Sequence, residues 1–314
     1  MSSTLPASRR PLSIIDFGSL LFLGAVWGAA FLFLRIAAPE VGAAWAAEIR
    51  LLTGASILAV VAGRRTFAVA RGRFMGFLVV GALFSALPFM LISYATVTLP
   101  AGFTALLNAA TPLFTAAIAV AFMGQQLAWR VVAGLAIGVV AVVVLVGWSP
   151  LEPGIATILA VTAGLGAPAS YAVAGNFVRA RMADVPPLEL ATGMLVAGSL
   201  VGLPVALLTG VPRTPEVDGV VSLLAVGTLS TAIAWPVFFR VLRRTTPTAA
   251  STVTFIVPAF ALTWGGLVLA EPVGPGLIVG FGLILVSLTL VLGIIPAARP
   301  PVLVRTVARL RAAA

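Results

Sequence analysis

Polar side chains recur at helical spacing inside one long apolar segment of this sequence. Thr104, Asn108, Thr111 and Thr115 are separated by four, three and four residues, so they share one face of a helix. Amide and hydroxyl groups on one face suit the polar groups of a small neutral or zwitterionic solute, which need partners within a membrane. We expect Asn108 and Thr111 to bind substrate. Hydrogen bonding between neighbouring helices is the alternative.

Aromatic residues lie in similar apolar segments, where their rings suit stacking on a substrate ring or attraction of its ammonium group. Phe31 follows Trp27 by one helical turn, so both rings can share a face. The rings expected to line a substrate cavity are Trp27, Phe31, Tyr94, Tyr171, Trp235 and Phe255. The alternative is that individual rings face lipid or the membrane interface, as spanning aromatics commonly do.

Two prolines interrupt helix-length apolar segments. Pro112 and Pro258 lack a backbone N–H, so each is expected to kink its helix and free a carbonyl one turn earlier, near Asn108 and Thr254. A freed carbonyl can accept a hydrogen bond from an ammonium group, which makes Thr254 a further candidate for substrate binding. Kinks that only shape helix packing are the compatible alternative.

Charged residues inside the apolar segments are few, and two of them are close in sequence. Glu48 and Arg50 are two residues apart, so on a helix they do not face each other. We expect a gating or charge role for both, and capture of a substrate carboxylate by Arg50. Snorkelling to the interface or stabilisation of the fold is the alternative. Histidine and cysteine are absent from the sequence, so we expect no metal, no cofactor and no disulfide.

The elements that position these side chains are membrane helices. The 314 residues are 61% hydrophobic and 9% charged, with a mean hydropathy of +1.17. Soluble domains carry about 25% charged residues, so this composition excludes a soluble enzyme. Windows of about 19 residues predict ten spanning helices. The predicted segments are 15–37, 43–62, 74–96, 100–123, 128–148, 153–177, 188–210, 219–239, 247–270 and 274–295.

Arginine placement predicts the orientation of these helices. The net charge is +10, and the basic residues are arginines at helix ends, which argues for membrane topology and against nucleic-acid binding. With a cytoplasmic N-terminus, the opposite side carries only Arg35, Arg50 and Arg213. This bias predicts that both termini are cytoplasmic: a segment over residues 1–14 and a basic tail over 297–314.

The chain also aligns with itself at an offset of 146 residues. The matched pairs are Pro112 with Pro258, Gln125 with Glu271, Gly134 with Gly280, Gly147 with Gly293 and Pro150 with Pro296. The register predicts two five-helix repeats, over 15–148 and 149–296. Because five is odd, the second repeat enters the membrane from the opposite side, which is typical of secondary transporters. A chance match between two stretches of similar composition is the alternative.

Short motifs in this order resemble a known family. They are Trp27-Gly28-Ala29-Ala30-Phe31, Arg50-Leu51-Leu52, Tyr94-Ala95, and the Pro…Gly blocks from Pro112 to Gly138 and from Pro258 to Gly282. The sequence thereby resembles the ten-helix EamA-type branch of the drug/metabolite transporter superfamily, and it is most similar in appearance to bacterial exporters of aromatic and other neutral amino acids. It departs from the family at Gln125, where a glutamate is common, and in a sixth helix whose aromatics are reduced to Tyr171.

The resemblance implies an all-α, multi-pass protein of a bacterial inner membrane, working as a monomer or homodimer on a small-molecule substrate. We expect export of neutral solutes, foremost amino acids, by alternating access. Because the acids available for proton binding, Glu48 and Glu271, lie near outer helix ends, we expect an uncoupled facilitator. The alternative is a proton- or exchange-coupled exporter of drugs or other metabolites.

Two further classes fit the sequence poorly. A membrane enzyme such as a lipid transferase needs clustered carboxylates to bind Mg²⁺, and no segment spaces two acids in that way. A channel typically assembles several identical chains around a shared filter, whereas this chain carries its own internal repeat. We therefore expect neither an enzyme nor a channel.

Overall fold

A computed structural model describes residues 13–63, 71–123, 128–149, 151–244 and 253–292. Within these ranges the regular structure is entirely helical, as the sequence predicts, and each of the ten predicted segments contains a helix. The helices are α1 Ile14–Val41, α2 Ala43–Ala62, α3 Phe74–Thr98, α4 Ala101–Asn108 with Thr111–Met123, α5 Trp129–Gly147, α6 Ile155–Arg181, α7 Pro187–Thr209, α8 Val217–Gly227 with Thr228–Ile233 and Ala234–Arg244, α9 Val253–Leu269, and α10 Pro275–Leu292.

Nine helices in the described ranges are long and apolar enough to cross a membrane. The remaining one, α9, has 17 residues and begins directly after a range that is not described. The number of crossings and the orientation of the termini therefore stay predictions. The segment over residues 1–12, Gln125 and the basic tail lie outside the described residues.

The boundary residues of α1 explain where this long helix starts and stops. The Ser13 hydroxyl accepts a hydrogen bond from the Asp16 amide at 3.1 Å, and the Asp16 carboxylate accepts one from the Ser13 amide at 3.3 Å. This reciprocal capping box satisfies two amides at the helix start. At the other end, Gly42 has a φ of +82°, a conformation that glycine adopts without strain, and it turns the chain directly into α2.

Helices α3 and α8 each contain one segment of wider π-helix, at Gly81–Ala86 and Thr228–Ile233. The two segments begin 147 residues apart, within one residue of the sequence repeat. Each is followed by a proline, Pro88 or Pro236, which cannot donate to the carbonyl four residues earlier. The same backbone irregularity thus occurs at matching places in the two halves.

Helix packing follows the same correspondence. The pairs α2 with α7 and α5 with α10 join matching helices of the two halves. The other major contacts also correspond between the halves. Helix α1, the first of its half, packs on α9 and α8, and its counterpart α6 packs on α4 and α3. This is the pattern of two halves related by a pseudo-two-fold axis, with α2–α7 and α5–α10 on the axis. Entry of the halves from opposite membrane faces remains a prediction.

Small residues permit close packing of the pair α5 and α10. A side chain at Gly134 would lie 2.9 Å from the Ser287 carbonyl, and the Ser287 hydroxyl donates to the Gly134 carbonyl at 2.6 Å. Gly280 of α10 faces Leu145 of α5 in the same way. These glycines therefore serve contacts within one chain.

The two predicted proline kinks differ. Helix α4 is interrupted, with its first part ending at Asn108 and its second beginning at Thr111, just before Pro112. The helix therefore breaks at this point, where a simple kink was expected. Pro112 fits the first turn of the second part, because the backbone N–H groups of a first turn have no partner within the helix. In α9 the helix continues through Pro258, which is buried.

Candidate functional site

Six aromatic rings from α1, α3, α6 and α8 meet inside the bundle and form what we call the aromatic cluster: Trp27, Phe84, Tyr171, Trp235, Phe238 and Phe239. The centroid of Trp235 lies 5.3 Å from those of Trp27 and Phe84. Tyr171 joins the cluster through Phe84, at 5.4 Å. Three rings predicted from the sequence, Trp27, Tyr171 and Trp235, therefore come together.

The π-helical segments hold this cluster in place. The Trp27 indole donates to the Ser230 carbonyl in the α8 segment at 3.1 Å. The Ser170 hydroxyl of α6 donates to the Leu83 carbonyl in the α3 segment at 2.7 Å. Leu83 and Ser230 are equivalent under the 147-residue correspondence. In both halves, a carbonyl of the wider helix thus accepts a hydrogen bond from the helix that crosses it.

Arg50 lies beside the cluster and is buried. Its Nε donates to the Thr231 hydroxyl at 2.9 Å, and its guanidinium carbon lies 3.7 Å from the centroid of the Phe89 ring. Tyr171 is close enough to interact with it electrostatically. Among the described residues, no carboxylate forms an ion pair with Arg50. The guanidinium is therefore available to an anionic group of a substrate.

The Trp235 indole nitrogen is also available. It is buried and has no hydrogen-bond partner within the described part of the chain. Trp235 follows Thr231 by four residues on α8, which places the indole one turn from the hydroxyl that binds Arg50. Two donors suited to a carboxylate thus occur next to rings suited to an apolar side chain.

Glu48 lies on a different face of α2 from Arg50, as their spacing predicts. Its side chain is fully buried against α7, where the Ser199 hydroxyl donates to Oε1. The side chains of Glu48 and Arg50 are both buried, which argues against the alternative that they snorkel toward the interface. Neither does Glu48 belong to the aromatic cluster.

The polar residues predicted on α4 bond mainly within their own helix. The Thr111 hydroxyl donates to the Asn108 carbonyl at 2.9 Å, so it occupies the carbonyl that was expected to bind an ammonium group. Thr104 and Thr115 likewise donate to carbonyls four residues earlier. The Asn108 side-chain oxygen, in contrast, is buried without a partner among the described residues.

Four other predicted residues lie apart from the cluster's ring contacts. Phe31 is buried in the core around α1. Thr254 and Phe255 are half-buried on α9, and Phe255 packs on the core shared by α4, α5 and α10. The Tyr94 side chain is 43% exposed. The candidate site therefore centres on α1, α2, α3, α6 and α8.

Sequence reasoning missed two ion pairs at the end of the bundle where α1 finishes, which we call the distal end. Glu40 accepts from the Arg213 guanidinium and from the Glu216 amide, both at 3.1 Å. Glu271 accepts from the Ala101 amide at 3.0 Å and lies 3.5 Å from Arg35 Nε. Both pairs join the first repeat to the second. Opposite charges near predicted helix ends were the available signal.

At the proximal end, where α1 begins, the described residues surround two cavities. A cavity of about 230 Å³ lies between the start of α1 and the end of α8, and another of about 790 Å³ lies among α2, α7 and α8. Both are lined by Arg240 and Arg244. Among the described residues at this end, Arg73 forms an ion pair with Asp184, and both side chains are exposed.

Comparison with known proteins identifies a matching family, a relative and a similar solved structure. The model of the EamA-like transporter family matches residues 17–147 and 158–293. A probable terminal-alkyne amino-acid exporter of Streptantibioticus cattleyicolor is 26% identical over 267 residues, which are 83% of this chain and 88% of the relative. A protein of known crystal structure is 16% identical with a TM-score of 0.59, covering 90% of this chain and 96% of that one.

Proposed function

This chain belongs to the EamA-like transporter family, and on that premise we propose that it exports amino acids, including aromatic ones, across a bacterial inner membrane by alternating access. The family implies transport and not catalysis. The similar protein from Streptantibioticus cattleyicolor is named as an amino-acid exporter, which supports this substrate class. We propose that the protein works as a monomer or a homodimer, and light scattering of the purified protein in detergent would distinguish the two.

The observation that carries the proposal is the proximity of two buried donor side chains to aromatic rings. Arg50 has no ion-pair partner among the described residues, and the buried Trp235 indole has no hydrogen-bond partner there. Both suit a substrate carboxylate. The rings of Trp27, Phe84 and Tyr171 suit an aromatic or aliphatic side chain and an ammonium group.

The packing of the cluster supports alternating access. Ring centroids 5.3 Å apart are in direct contact, so a solute enters only when Trp235 of α8 separates from Trp27 of α1 and Phe84 of α3. Helix α8 belongs to the second repeat, whereas α1 and α3 belong to the first. Rocking of one repeat against the other is therefore the motion that opens the site.

Transport could be uncoupled or coupled to protons, and different observations favour the two mechanisms. The sequence favours a facilitator because the available acids are predicted near outer helix ends. The complete burial of Glu48 favours a proton-coupled exporter.

The test is counterflow of labelled tryptophan in proteoliposomes, which requires no ion gradient. We expect saturable exchange, competed by phenylalanine and other neutral amino acids. Arg50→Gln should reduce exchange about tenfold or more, because one charge-assisted contact contributes about 1.5–3 kcal/mol. Arg130→Gln, at the start of α5, is the matched control and should exchange normally because Arg130 lies outside the aromatic cluster.

A second substrate identifies the group that Arg50 binds. Tryptamine has the indole and the amine of tryptophan but no carboxylate, so its competition with tryptophan should be weak in the wild type. If Arg50→Gln impairs tryptophan and tryptamine equally, Arg50 does not bind the carboxylate. Absence of exchange above empty liposomes for all amino acids would instead favour an exporter of drugs or other metabolites.

A further inference from the structure

Glu48 occupies a site that is built for an uncharged acid. Its side chain has 0% exposure, and α7 covers it from Ser199 to Gly202. The Ser199 hydroxyl donates to Oε1, whereas Oε2 is buried without a partner among the described residues. A side chain at Gly202 would lie 2.6 Å from Oε2, so a larger residue there would force the carboxyl group to shift.

No positive charge on α2 or α1 compensates this acid. Arg50 binds Thr231 and Phe89, on another face of α2. Arg35 of α1 is paired with Glu271, and Glu40 of α1 is paired with Arg213, both at the distal end. Asp16, the remaining charged residue of α1, caps its exposed first turn.

Among the side chains that the structure describes, the other helices packed against α2 bring no counter-charge either. The titratable residues of α3, α7 and α8 whose side chains the structure describes are Tyr94, Glu189, Asp218, Arg240 and Arg244. Tyr94 and Asp218 are exposed, whereas Glu189, Arg240 and Arg244 line the cavity at the proximal end.

Electrostatics then decides the protonation state. A carboxylate without a counter-ion costs several kcal/mol in the interior of a protein or a bilayer, because the charge loses its hydration. A neutral carboxyl leaves at most one hydrogen-bond group unsatisfied, which costs much less. The side chain is therefore protonated in the packed arrangement of α2 and α7.

The position of the acid links this proton to movement of the halves. Helix α2 belongs to the first repeat and α7 to the second, and the two meet on the pseudo-two-fold axis. Any rocking of the repeats changes their contact. Once water enters between them, hydration stabilises the carboxylate and the proton can leave.

We propose that Glu48 is a proton-binding site that couples transport to the proton gradient. The O–H bond of the carboxyl breaks when the α2–α7 contact opens, and the proton passes to water. The reverse step restores the neutral acid when the contact closes. The coupling rests on the transport function proposed above, whereas the protonation state does not.

Glu271 provides the contrast within the same chain. Its carboxylate accepts from the Ala101 amide and is paired with Arg35, so it is already satisfied as an anion. Loss of its charge should leave proton binding unchanged. Glu271→Gln is therefore the matched control for Glu48→Gln.

The first experiment detects the proton directly, without transport. Infrared difference spectra of purified protein at neutral pH should show the carbonyl stretch of a protonated carboxyl group. This band should disappear in Glu48→Gln and persist in Glu271→Gln. A band that is unaffected by Glu48→Gln, or absent from the wild type, would overturn the proposal.

The second experiment measures coupling in proteoliposomes. An imposed pH gradient should change the initial rate of wild-type tryptophan transport by about fivefold or more, within the usual range of coupling between two sites. Glu48→Gln should retain gradient-free counterflow and lose the response, while Glu271→Gln keeps both. A response that persists in Glu48→Gln would refute the coupling role. Failure of counterflow in the wild type would refute amino-acid transport and leave the infrared result decisive for the proton.

Discussion

The two ends of the bundle are closed by different kinds of contact. At the distal end, the buried carboxylate of Glu40 and the mostly buried one of Glu271 each bind an arginine of the other repeat together with a backbone amide. At the proximal end, Arg73 and Asp184 form an exposed pair beside two cavities that α8 lines. Within the part of the chain that the structure describes, the halves are therefore joined more firmly distally than proximally.

This difference indicates which end of the bundle separates more easily. Ion pairs that include buried groups and backbone amides resist separation, whereas exposed pairs contribute little because water competes with them. Among the described residues, the proximal end is therefore the one whose contacts separate more easily. If arginine placement correctly predicts the topology, this end faces the cytoplasm, which suits an exporter that loads its substrate there.

The largest effect on this comparison is expected from Glu40→Ala. The substitution leaves the Glu216 amide and the Arg213 guanidinium without their shared acceptor, so the distal end should lose about 1–2 kcal/mol of closure. That corresponds to a shift of about tenfold toward distally open molecules. Transport in both directions should change because the equilibrium between conformations changes.

Thiol labelling measures this shift, because the chain contains no cysteine of its own. A single Ser93→Cys thiol, placed at a buried position on α3, should react faster with a membrane-impermeant reagent in the Glu40→Ala background. Reversing the pair, with Glu40→Arg and Arg213→Glu together, is the control and should slow the labelling in part, because it restores the ion pair but not an acceptor for the Glu216 amide. Unchanged labelling in Glu40→Ala would show that this pair does not hold the distal end closed.

A smaller effect is expected from Glu271→Gln. The amide oxygen can still accept from the Ala101 amide, so only the 3.5 Å ion pair with Arg35 is lost. We expect a loss of less than about 1 kcal/mol, since the arginine is partly exposed. The same thiol reporter should label about two- to threefold faster. Labelling as fast as in Glu40→Ala would mean that the two distal pairs contribute equally.

Composition and periodicity predicted the helices well, because apolar segments of spanning length are their direct cause. Prolines and glycines at matching positions predicted the repeat, although the matched prolines act differently, since α4 breaks before Pro112 and α9 continues through Pro258. The π-helical segments of α3 and α8 could not be predicted from the sequence, because their wider turns leave no distinct spacing of apolar residues. For this reason Phe84 and Phe238 escaped prediction, although Trp27 and Trp235 did not.

Charge contacts were predicted least well, for a physical reason. Glu40 and Arg213 are distant in sequence, and only the packing of α1 against the start of α8 brings them together. The hydroxyl groups on α4 show the opposite problem. Their spacing indicated a polar face, but threonine hydroxyls in a helix readily bond the carbonyl four residues earlier, which removes them from ligand binding.

The smallest effect is expected at the proximal pair. Two hydrogen bonds from the Arg73 guanidinium, at 2.5 and 2.7 Å, hold the pKa of Asp184 below its ordinary value. The stabilisation by this pair is present above the pKa of an unfolded aspartate, about 4, and is lost as the pH falls through the lower folded value. Added salt should weaken it at any pH, because both groups are exposed.

Arg73→Gln tests this expectation against Arg71→Gln, which changes a neighbouring exposed arginine for which no ion pair is found among the described residues. The midpoint temperature of unfolding in detergent should be slightly lower in Arg73→Gln than in the control at pH 6, and the difference should disappear toward pH 3. It should also shrink in high salt. A difference that stays constant from pH 6 to pH 3 would mean that Arg73 acts through packing, and the two ends would then differ less in electrostatics than the geometry indicates.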